Sequence, residues 1–443
     1  MIDPRRLTSV VLLVLVIFYM ATVLSGQVSF EYFSKPVTLI WFGIIPLLLV
    51  LVYIVTSSLQ KVSNWLPTAI VACLIILLLG TSFTQQILSR RSVENTQLFD
   101  QEKFTQVVHD GAVQTEEASR FLRAGENPYS SDYSQTAFGN YPDSFSGNQK
   151  PNPAYKHYVY LPATFLIVLP FQSLAEQASG WFDVRIIYYL GWFGLLVLLA
   201  CLVKPPYRDL ALVLVAFNPF IIKFIVVGLN DYLMLLYLVA AVALLQKKHL
   251  CWSGILLVLA LASKQSAWLF LPFFVVSLVK ALPGISWARR VKPLLPGIIL
   301  GLLLVLPFVI WSAADFTSDV WGYANGWTEA SYPASGLGLG QWLVTFQALD
   351  SAYDAFPFWV FSVIIGLPVM IWSMRRQWRE NNPANLLWHY GITLLAFWLV
   401  ARYFNDSHLS FIIVVLTIAV FLSSEPFESA ISKPKAINEP DKQ

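Results

Sequence analysis

Long apolar runs separated by polar connections dominate this 443-residue chain. Hydrophobic residues make up 57% of it, charged residues make up 12%, and the mean hydropathy is +0.62. A run of about 17 to 25 apolar residues can cross a bilayer as a helix, because a helix satisfies its own backbone hydrogen bonds. The sequence therefore predicts an all-α fold, a polytopic transmembrane helical bundle, whose partner is the lipid bilayer and not a nucleic acid.

Counting these runs predicts about 12 spans. The stretch 250–282 is too long for one helix, and we divide it into two shorter ones at the polar residues 263–266. The proline-containing segment 158–175 is not counted, because we expect it to be re-entrant or interfacial. The remaining spans are predicted at 7–26, 38–57, 66–87, 184–203, 209–227, 231–246, 293–312, 356–374, 387–403 and 407–423.

The basic residues of the short connections predict the orientation of the bundle. Lys and Arg are enriched in cytoplasmic loops, and with this set of spans the basic clusters all fall on one side. Both termini are then cytoplasmic, and the long loops 89–157 and 314–355 lie on the non-cytoplasmic side. We predict one integral membrane domain over residues 1–423 and a disordered cytoplasmic tail over 424–443.

The first long outer loop contains a predicted helix. Residues 111–124 are typical of a helix that stops at Gly125 as a C-terminal cap. Its apolar positions suit a helix that lies on the bilayer surface. The sequence Asn127-Pro128-Tyr129 then predicts an extended turn.

Several ionisable residues from distant parts of the chain are predicted to reach the outer face. Asp110 precedes the loop helix, so a catalytic role and an N-cap role are equally compatible with the local sequence. Glu116 and Glu117 are interpreted as a solvated helix face. Asp231 opens a membrane helix, where it is either functional or a cap.

Basic residues at the outer face suggest anion binding. Lys264 lies between two short apolar helices, where an ammonium needs an anionic partner or water, so we favour a functional role over snorkelling. Arg402 and His408 flank a turn at the interface, where anion binding and anchoring are equally plausible.

At this point the order of motifs resembles a known family. The motifs are HDGAVQTEEASRFLRAGENPY, Tyr158 to Pro162, Gly228-Leu229-Asn230-Asp231, Ser263 to Trp268 and Arg402 to Asp406. Over residues 66–423 the chain is similar to the polytopic GT-C glycosyltransferases, most of all to the family 87 polyprenyl-phosphate-mannose-dependent mannosyltransferases. It departs from them in two extra N-terminal helices, 7–57, and in Tyr160-Leu161-Pro162, which matches the usual Tyr-Pro-Pro only in part.

The resemblance implies a transferase that moves a hexose, with mannose expected, from a polyprenyl-phosphate donor to a glycan or glycolipid acceptor. The catalytic Asp of the first outer loop matches Asp110, which would act as the base in an inverting displacement at the non-cytoplasmic face of a bacterial plasma membrane. Lys264 or Arg402 would hold the phosphate. The predicted substrate-binding residues are His109, Asn127, Tyr129, Tyr160, Asn230, Asp231, Lys264, Gln265, Arg402, Asn405 and Asp406.

Two other classes of function remain open from the sequence. A lipid-linked-sugar flippase or secondary transporter would show inverted repeats and ionisable residues at the midplane, and the sequence shows no repeat. A structural or assembly subunit would use the outer loop only to dock a partner. No ligand spacing requires a metal, although a divalent cation shared by distant acids is compatible with the sequence.

Overall fold

A computed structural model describes residues 3–24, 40–59, 65–95, 101–143 and 152–427. It confirms an all-α membrane protein, because the described residues form helices with two short strands. The helices up to the end of the first outer loop are α1 Pro4–Leu24, α2 Ile45–Ser58, α3 Trp65–Ile75, α4 Thr81–Asn95, α5 Gln101–Val107 and α6 Asp110–Arg123.

The central part of the chain follows the first outer loop. Its helices are α7 Ala163–Ser179, α8 Arg185–Leu202, α9 Pro205–Ala216, α10 Pro219–Val227, α11 Asp231–Gln246, α12 Leu250–Leu261, α13 Leu271–Ala281, α14 Trp287–Val291 and α15 Leu295–Trp311. The second outer loop and the last helices contain α16 Ala313–Thr317, α17 Tyr323–Asn325, α18 Leu339–Thr345, α19 Phe358–Phe361, α20 Leu367–Arg379, α21 Pro383–Leu399 and α22 Asp406–Phe421.

Tighter and wider helical turns complete the chain. The 3₁₀ turns are Tyr133–Gln135, Ala137–Asn140, Pro153–Lys156, Gln265–Phe270 and Lys292–Leu294, and the π turns are Ile40–Ile44, Ile76–Gly80, Ser318–Gly322 and Ser362–Gly366. The strands β1 Ser335–Gly336 and β2 Tyr403–Phe404 pair in parallel. Gly336 has φ +94°, and a Cβ there would lie 2.2 Å from the Phe404 carbonyl oxygen, so only glycine fits this pairing.

The predicted number of 12 spans is not confirmed. Six helical stretches of the described chain are long and apolar enough to cross a membrane: Pro4–Ala21, Ile40–Ser58, Trp65–Asn95, Arg185–Leu202, Trp287–Trp311 and Phe358–Arg379. The pair α9 and α10, bent by 57°, would make a seventh. The stretch 250–282 is divided as predicted, by residues 262–264 between α12 and the turn Gln265–Phe270.

The helices that fall short of a full span share one feature. The apolar helices α11, α12, Gln265–Ala281 and α22 have 10 to 17 residues, and at about 1.5 Å per residue they are shorter than a hydrocarbon layer of about 30 Å. Each of them begins or ends next to Asp231, Lys264 or Asp406. These polar residues therefore lie at or near the ends of short apolar helices.

Contacts between helix ends show which residues lie at each end of the bundle. Arg5 Nη1 donates to the Ser57 carbonyl, and Tyr53 and Thr68 both donate to Asp209 at the start of α9. Lys204 pairs with Glu425 nearby. Arg5 and Glu425, close to the two ends of the described chain, thus lie at the same end of the bundle. The start of α6, the end of α10 and the break before Gln265 lie at the other end.

The first outer loop is not a surface layer, contrary to the prediction. Helix α6 ends as predicted before Gly125, which has φ +84°, but residues 111–119 are all buried and pack against α7. An aromatic core lies behind it, where the Tyr129 ring is 5.6 Å from that of Tyr158 and 4.8 Å from that of Phe316. Because Phe316 belongs to the second outer loop, the two outer loops share one core.

Candidate functional site

Asp110 is the first residue of α6, and the preceding residue is held by a membrane helix. The His109 amide donates to the carbonyl of Val227 at the end of α10, at 2.8 Å. Asp110 Oδ1 accepts from the Gly111 amide at 2.6 Å and lies 2.9 Å from His109 Nδ1. His109 is the N-cap, so the structure does not support Asp110 as the predicted cap.

The Asp110 carboxylate is partly exposed and ionised. Burial among neighbouring atoms opposes its ionisation most strongly, but His109, the Gly111 amide and Asn152 outweigh this effect and lower the pKa of Asp110. At the same time, 38% of the Asp110 side chain is exposed. The carboxylate is therefore open to water, ionised near neutral pH and able to accept a proton there.

Lys264 forms the second charged part of the site. It has extended backbone, with φ −148° and ψ 146°, at the break after α12. The break is held by the segment that joins the first outer loop to α7, because the Leu161 and Ala163 amides donate to the Ser263 and Ala262 carbonyls. Lys264 Nζ donates to Asp231 Oδ2 at 2.7 Å, with 16% and 11% of the two side chains exposed.

Tyr160 lies between the two charged groups. Its ring centroid is 5.1 Å from Lys264 Nζ. Its hydroxyl approaches Gly111 so closely that a Cβ there would lie 2.1 Å away, so this position requires glycine. Burial raises the pKa of Tyr160, and the negative charges of Asp110 and Asp231 raise it further. Because the Tyr160 hydroxyl lies against Gly111 and its ring lies beside Lys264 Nζ, the start of α6 and the Lys264–Asp231 pair face the same site.

Aromatic residues of the second outer loop and the turn before α22 surround this site. Burial raises the pKa values of Tyr323 and Tyr332, and Asp110 is among the negative groups that raise them further. Burial and then Asp231 raise the pKa of Tyr403 to about 12. Sequence reasoning missed these three tyrosines, because the chain contains 19 tyrosines and nothing in the local pattern singles them out.

Asn230 carries a buried donor without a partner. Its side chain is 7% exposed, and its Nδ2 makes no hydrogen bond among the described residues. Asn230 is the N-cap of α11 and directly precedes Asp231. Since buried amide groups are normally hydrogen-bonded, this donor is a candidate for a substrate hydroxyl.

Comparison with known proteins identifies the central part of the chain. Residues 117–280 match the MptA_B family model, described as alpha-(1->6)-mannopyranosyltransferase, N-terminal domain. This segment is therefore similar to the N-terminal domain of a mannosyltransferase family. The match confirms the resemblance to membrane mannosyltransferases, and it supports glycosyltransferase activity in an integral membrane protein. No curated protein and no solved structure matches the chain significantly.

The matched segment contains the Lys264–Asp231 pair, and Asp110 lies shortly before its first residue. Other predicted residues in this segment hold the backbone around the site through hydrogen bonds. Gln265 Nε2 donates to the Val159 and Val320 carbonyls. Tyr129 Oη donates to the Tyr160 carbonyl at 2.9 Å, and Asn127 closes the turn by accepting from the Tyr129 amide.

Arg402, outside the matched segment, differs from the prediction. It is 2% exposed, and its three nitrogen atoms donate to the carbonyls of Tyr332, Ala352 and Asp354. Burial lowers its pKa. Because the guanidinium is taken up by backbone oxygens, it holds the second outer loop and does not point a free charge into the site. A phosphate-binding role for Arg402 is therefore not supported.

The remaining predicted residues lie beside α22. Asn405 and His408 form a capping box, in which His408 Nδ1 accepts from the Asn405 amide at 3.1 Å. Asn405 Nδ2 donates to the Tyr332 hydroxyl at 2.9 Å. Asp406 pairs with Lys223 at 2.6 Å, whereas Lys264 pairs with Asp231.

Glu116 and Glu117 do not form a solvated face, so this interpretation is wrong. Glu116 is fully buried and accepts from both terminal nitrogens of Arg90, at 2.8 and 2.7 Å, and from the Val184 amide. Glu117 is 7% exposed and pairs with Arg120 at 2.6 Å. Glu116 can be buried because Arg90 of α4 is buried against α6 and neutralises its charge.

A metal site is not evident in the part of the chain that the structure describes. No group of three or more His, Cys, Asp or Glu side chains there could hold a metal ion. The chemistry that these residues themselves offer is a carboxylate base at Asp110, a cation at Lys264, and hydroxyl and amide groups between them.

Proposed function

We propose that this protein transfers a hexose, mannose, from a polyprenyl-phosphate donor to a glycan or glycolipid acceptor at the non-cytoplasmic face of the membrane. The observation that carries the proposal is the placement of Asp110 and the Lys264–Asp231 pair around Tyr160. Such a transfer needs a base and a cation, and both lie around Tyr160. Residues 117–280 also match a mannosyltransferase family model.

The reaction can be written with these groups. A carboxylate oxygen of Asp110 takes the proton of the acceptor hydroxyl, whose oxygen attacks the anomeric carbon. The bond from that carbon to the phosphate oxygen breaks, and the phosphate leaves with the bonding electrons. The attack comes from the side opposite the leaving group, so the configuration inverts. Polyprenyl phosphate is already a good leaving group, so no second carboxyl group is needed as an acid.

Lys264 supplies the electrostatic part of the proposal. Negative charge grows on the phosphate as the bond breaks, and an ammonium with 16% of its side chain exposed interacts more strongly than one in bulk water. Asp231 holds the ammonium in place through one carboxylate oxygen, and its other oxygen is assigned to a sugar hydroxyl. Asn230 Nδ2, which has no partner, is assigned to another hydroxyl.

The short helices suit a lipid-linked donor. Asp231 and Lys264 lie at ends of helices that do not reach across a full hydrocarbon layer, so the site is recessed from the outer surface. A phosphate on a lipid stays near the interface, at the level of such a recess. A water-soluble nucleotide sugar does not require a site at the level of the lipid phosphate.

The test is a comparison of donors with the purified full-length protein in lipid nanodiscs. Mannose labelled with tritium is supplied either on polyprenyl phosphate or on a nucleoside diphosphate, with an octyl mannoside as acceptor. We expect a labelled disaccharide glycoside only from the lipid donor. Product from the nucleotide donor alone would overturn the assignment of the donor. Absence of product from both donors, over a series of glycan acceptors, would overturn the proposed transferase activity.

A further inference from the structure

A charged pair occurs on an otherwise apolar helix. Lys223 is the only charged residue of α10, whose sequence is PFIIKFIVV, and its Nζ lies 2.6 Å from Asp406 Oδ2 at the start of α22. The side chains are 55% and 61% exposed. Exposed ion pairs contribute little to stability, and a charged residue within an apolar membrane helix is usually functional. Stability alone therefore does not explain this pair.

The pair lies beside the proposed site. Helix α10 ends at Val227, whose carbonyl holds His109, and Lys223 is four residues, roughly 6 Å, before it. The start of α22 also contacts the start of α11, because the hydroxyls of Ser410 and Tyr232 are hydrogen-bonded at 2.7 Å. Polar groups thus continue from the exposed Lys223–Asp406 pair to the buried Lys264–Asp231 pair.

The surroundings of Lys223 are amphiphilic. The Lys223 ammonium lies 4.5 Å from the ring centroid of Phe224, and Phe220, one turn away, is 62% exposed. Helix α10 is bent by 57° from α9, with Asn218 and Pro219 at the bend. An exposed cation with an aromatic rim suits an anionic lipid whose chain packs on the rim while its phosphate meets the ammonium.

We propose that the lipid phosphate enters laterally where α10 meets α22, and that Lys223 is its first contact. This inference rests on the proposed function. Before the lipid arrives, Asp406 neutralises Lys223. The arriving phosphate diester replaces Asp406 at the ammonium and then passes to Lys264. Lys223 is a positioning residue for the donor and does not touch the reacting carbon.

The experiment compares Lys223→Gln, Lys223→Arg and Asp406→Asn in nanodiscs that contain increasing mole fractions of polyprenyl-phosphate-mannose. Lys223→Gln should raise the apparent donor KM roughly 10-fold, the scale of one charge-assisted hydrogen bond, with a smaller fall in kcat. Lys223→Arg should recover most of this loss. Asp406→Asn should leave the KM equal to the parent's or lower it, because the ammonium is then free. Lys204→Gln, which removes an exposed paired lysine at the opposite end, is the matched control.

Equal increases in KM from Lys223→Gln and Asp406→Asn, together with equal falls in the midpoint of thermal unfolding, would show a merely structural pair and overturn this entry route. Native mass spectrometry with polyprenyl phosphate separates this outcome from failure of the proposed function. A parent protein that does not bind polyprenyl phosphate would refute the donor itself. A parent that binds it, with Lys223→Gln binding equally well, would refute only the entry route.

Discussion

The ammonium of Lys264 lies 2.7 Å from Asp231 Oδ2, although the two residues are 33 positions apart, one at the start of α11 and the other in the break after α12. The segment that joins the first outer loop to α7 makes this contact possible, because the Leu161 and Ala163 amides hold the extended break in which Lys264 lies. The same segment carries Tyr160 beside the ammonium. Loop and membrane helices thus assemble the site together.

Lys264→Gln should raise the apparent donor KM by roughly 10- to 100-fold, which corresponds to the loss of a hydrogen bond to a charged group. Lys264→Arg should restore part of the loss, since it keeps the charge and changes the geometry. The measurement is the transfer rate against the concentration of polyprenyl-phosphate-mannose. Lys156→Gln, an exposed lysine of the same loop, is the control. A donor dependence of the Gln variant equal to the parent's would remove Lys264 from the phosphate site.

Asp110→Asn should lower the rate of transfer by about 100- to 10,000-fold, the scale of a lost general base. The variant should remain folded, because the amide oxygen of the new side chain can still accept from the Gly111 amide. Turnover is measured at saturating donor, with thermal unfolding as the check of folding. Asp350→Asn removes an exposed carboxylate from the second outer loop and should have no effect. Near-normal turnover by the Asp110→Asn variant would leave Asp110 with a structural role alone.

The local features of the site could be predicted from the sequence. Gly125 ends α6, Asn127 to Tyr129 forms a turn, and residues 262–264 interrupt the apolar stretch. Each of these depends on the backbone preferences of a few neighbouring residues. The polar character of Lys264 within an apolar run was sufficient to single it out.

The partners of charged residues could not be predicted in this way. Glu116 is read as solvated when only its own helix is considered, because Arg90 is 26 positions earlier in the chain. Arg402 has the sequence context of an anion-binding residue, but carbonyls 48 to 70 positions earlier satisfy it. Long-range packing decides such cases.

Glu116→Gln should destabilise the protein by about 3 to 5 kcal/mol, the usual effect of removing one partner of a buried ion pair. Arg90, which is 2% exposed, would keep a buried charge without its bidentate partner. The midpoint of thermal unfolding in detergent measures the change. Glu117→Gln should cost less, because its partner Arg120 has a side chain that is 34% exposed. Equal effects of the two variants would contradict the importance of the Arg90–Glu116 pair.

Asp319 gives the stability a dependence on pH. It is 2% exposed, its Oδ1 lies 2.6 Å from His157 Nδ1, and its Oδ2 accepts from the Tyr158 amide at 2.7 Å. Burial raises the pKa of Asp319 from 3.8 to about 6, against the opposing effects of His157 and the Tyr158 amide, and Asp315 raises it further. The folded protein therefore binds this proton more tightly than the unfolded chain. The corresponding stability is fully present below pH 3.8 and is lost as the pH rises through about 6.

Asp319→Asn should remove this part of the pH dependence, because the amide stays neutral while its oxygen can still accept from Tyr158. The measurement is the unfolding midpoint of parent and variant between pH 5 and pH 8. The difference between parent and variant should change through about pH 6 and be constant above it. Parallel curves over the whole range would show that Asp319 does not titrate there. Asp350→Asn, which removes an exposed acid elsewhere in the second outer loop, is the control.

The last prediction concerns the side of the membrane on which the site lies. The site and both outer loops are at one end of the bundle, and Arg5, Lys204 and Glu425 are at the other. Since basic residues of short connections favour the cytoplasm, we expect the site on the non-cytoplasmic face. In a background without Cys73, Cys201 and Cys251, the variants Gln135→Cys and Ala348→Cys place exposed thiols in the two outer loops.

A membrane-impermeant maleimide should label both variants in intact cells. Glu425→Cys, whose native side chain is 64% exposed at the opposite end, should be labelled only after permeabilisation. The reverse pattern would place Asp110 and Lys264 on the cytoplasmic face. Nucleotide-linked sugars would then have access to the site, and a lipid-linked donor would no longer be required.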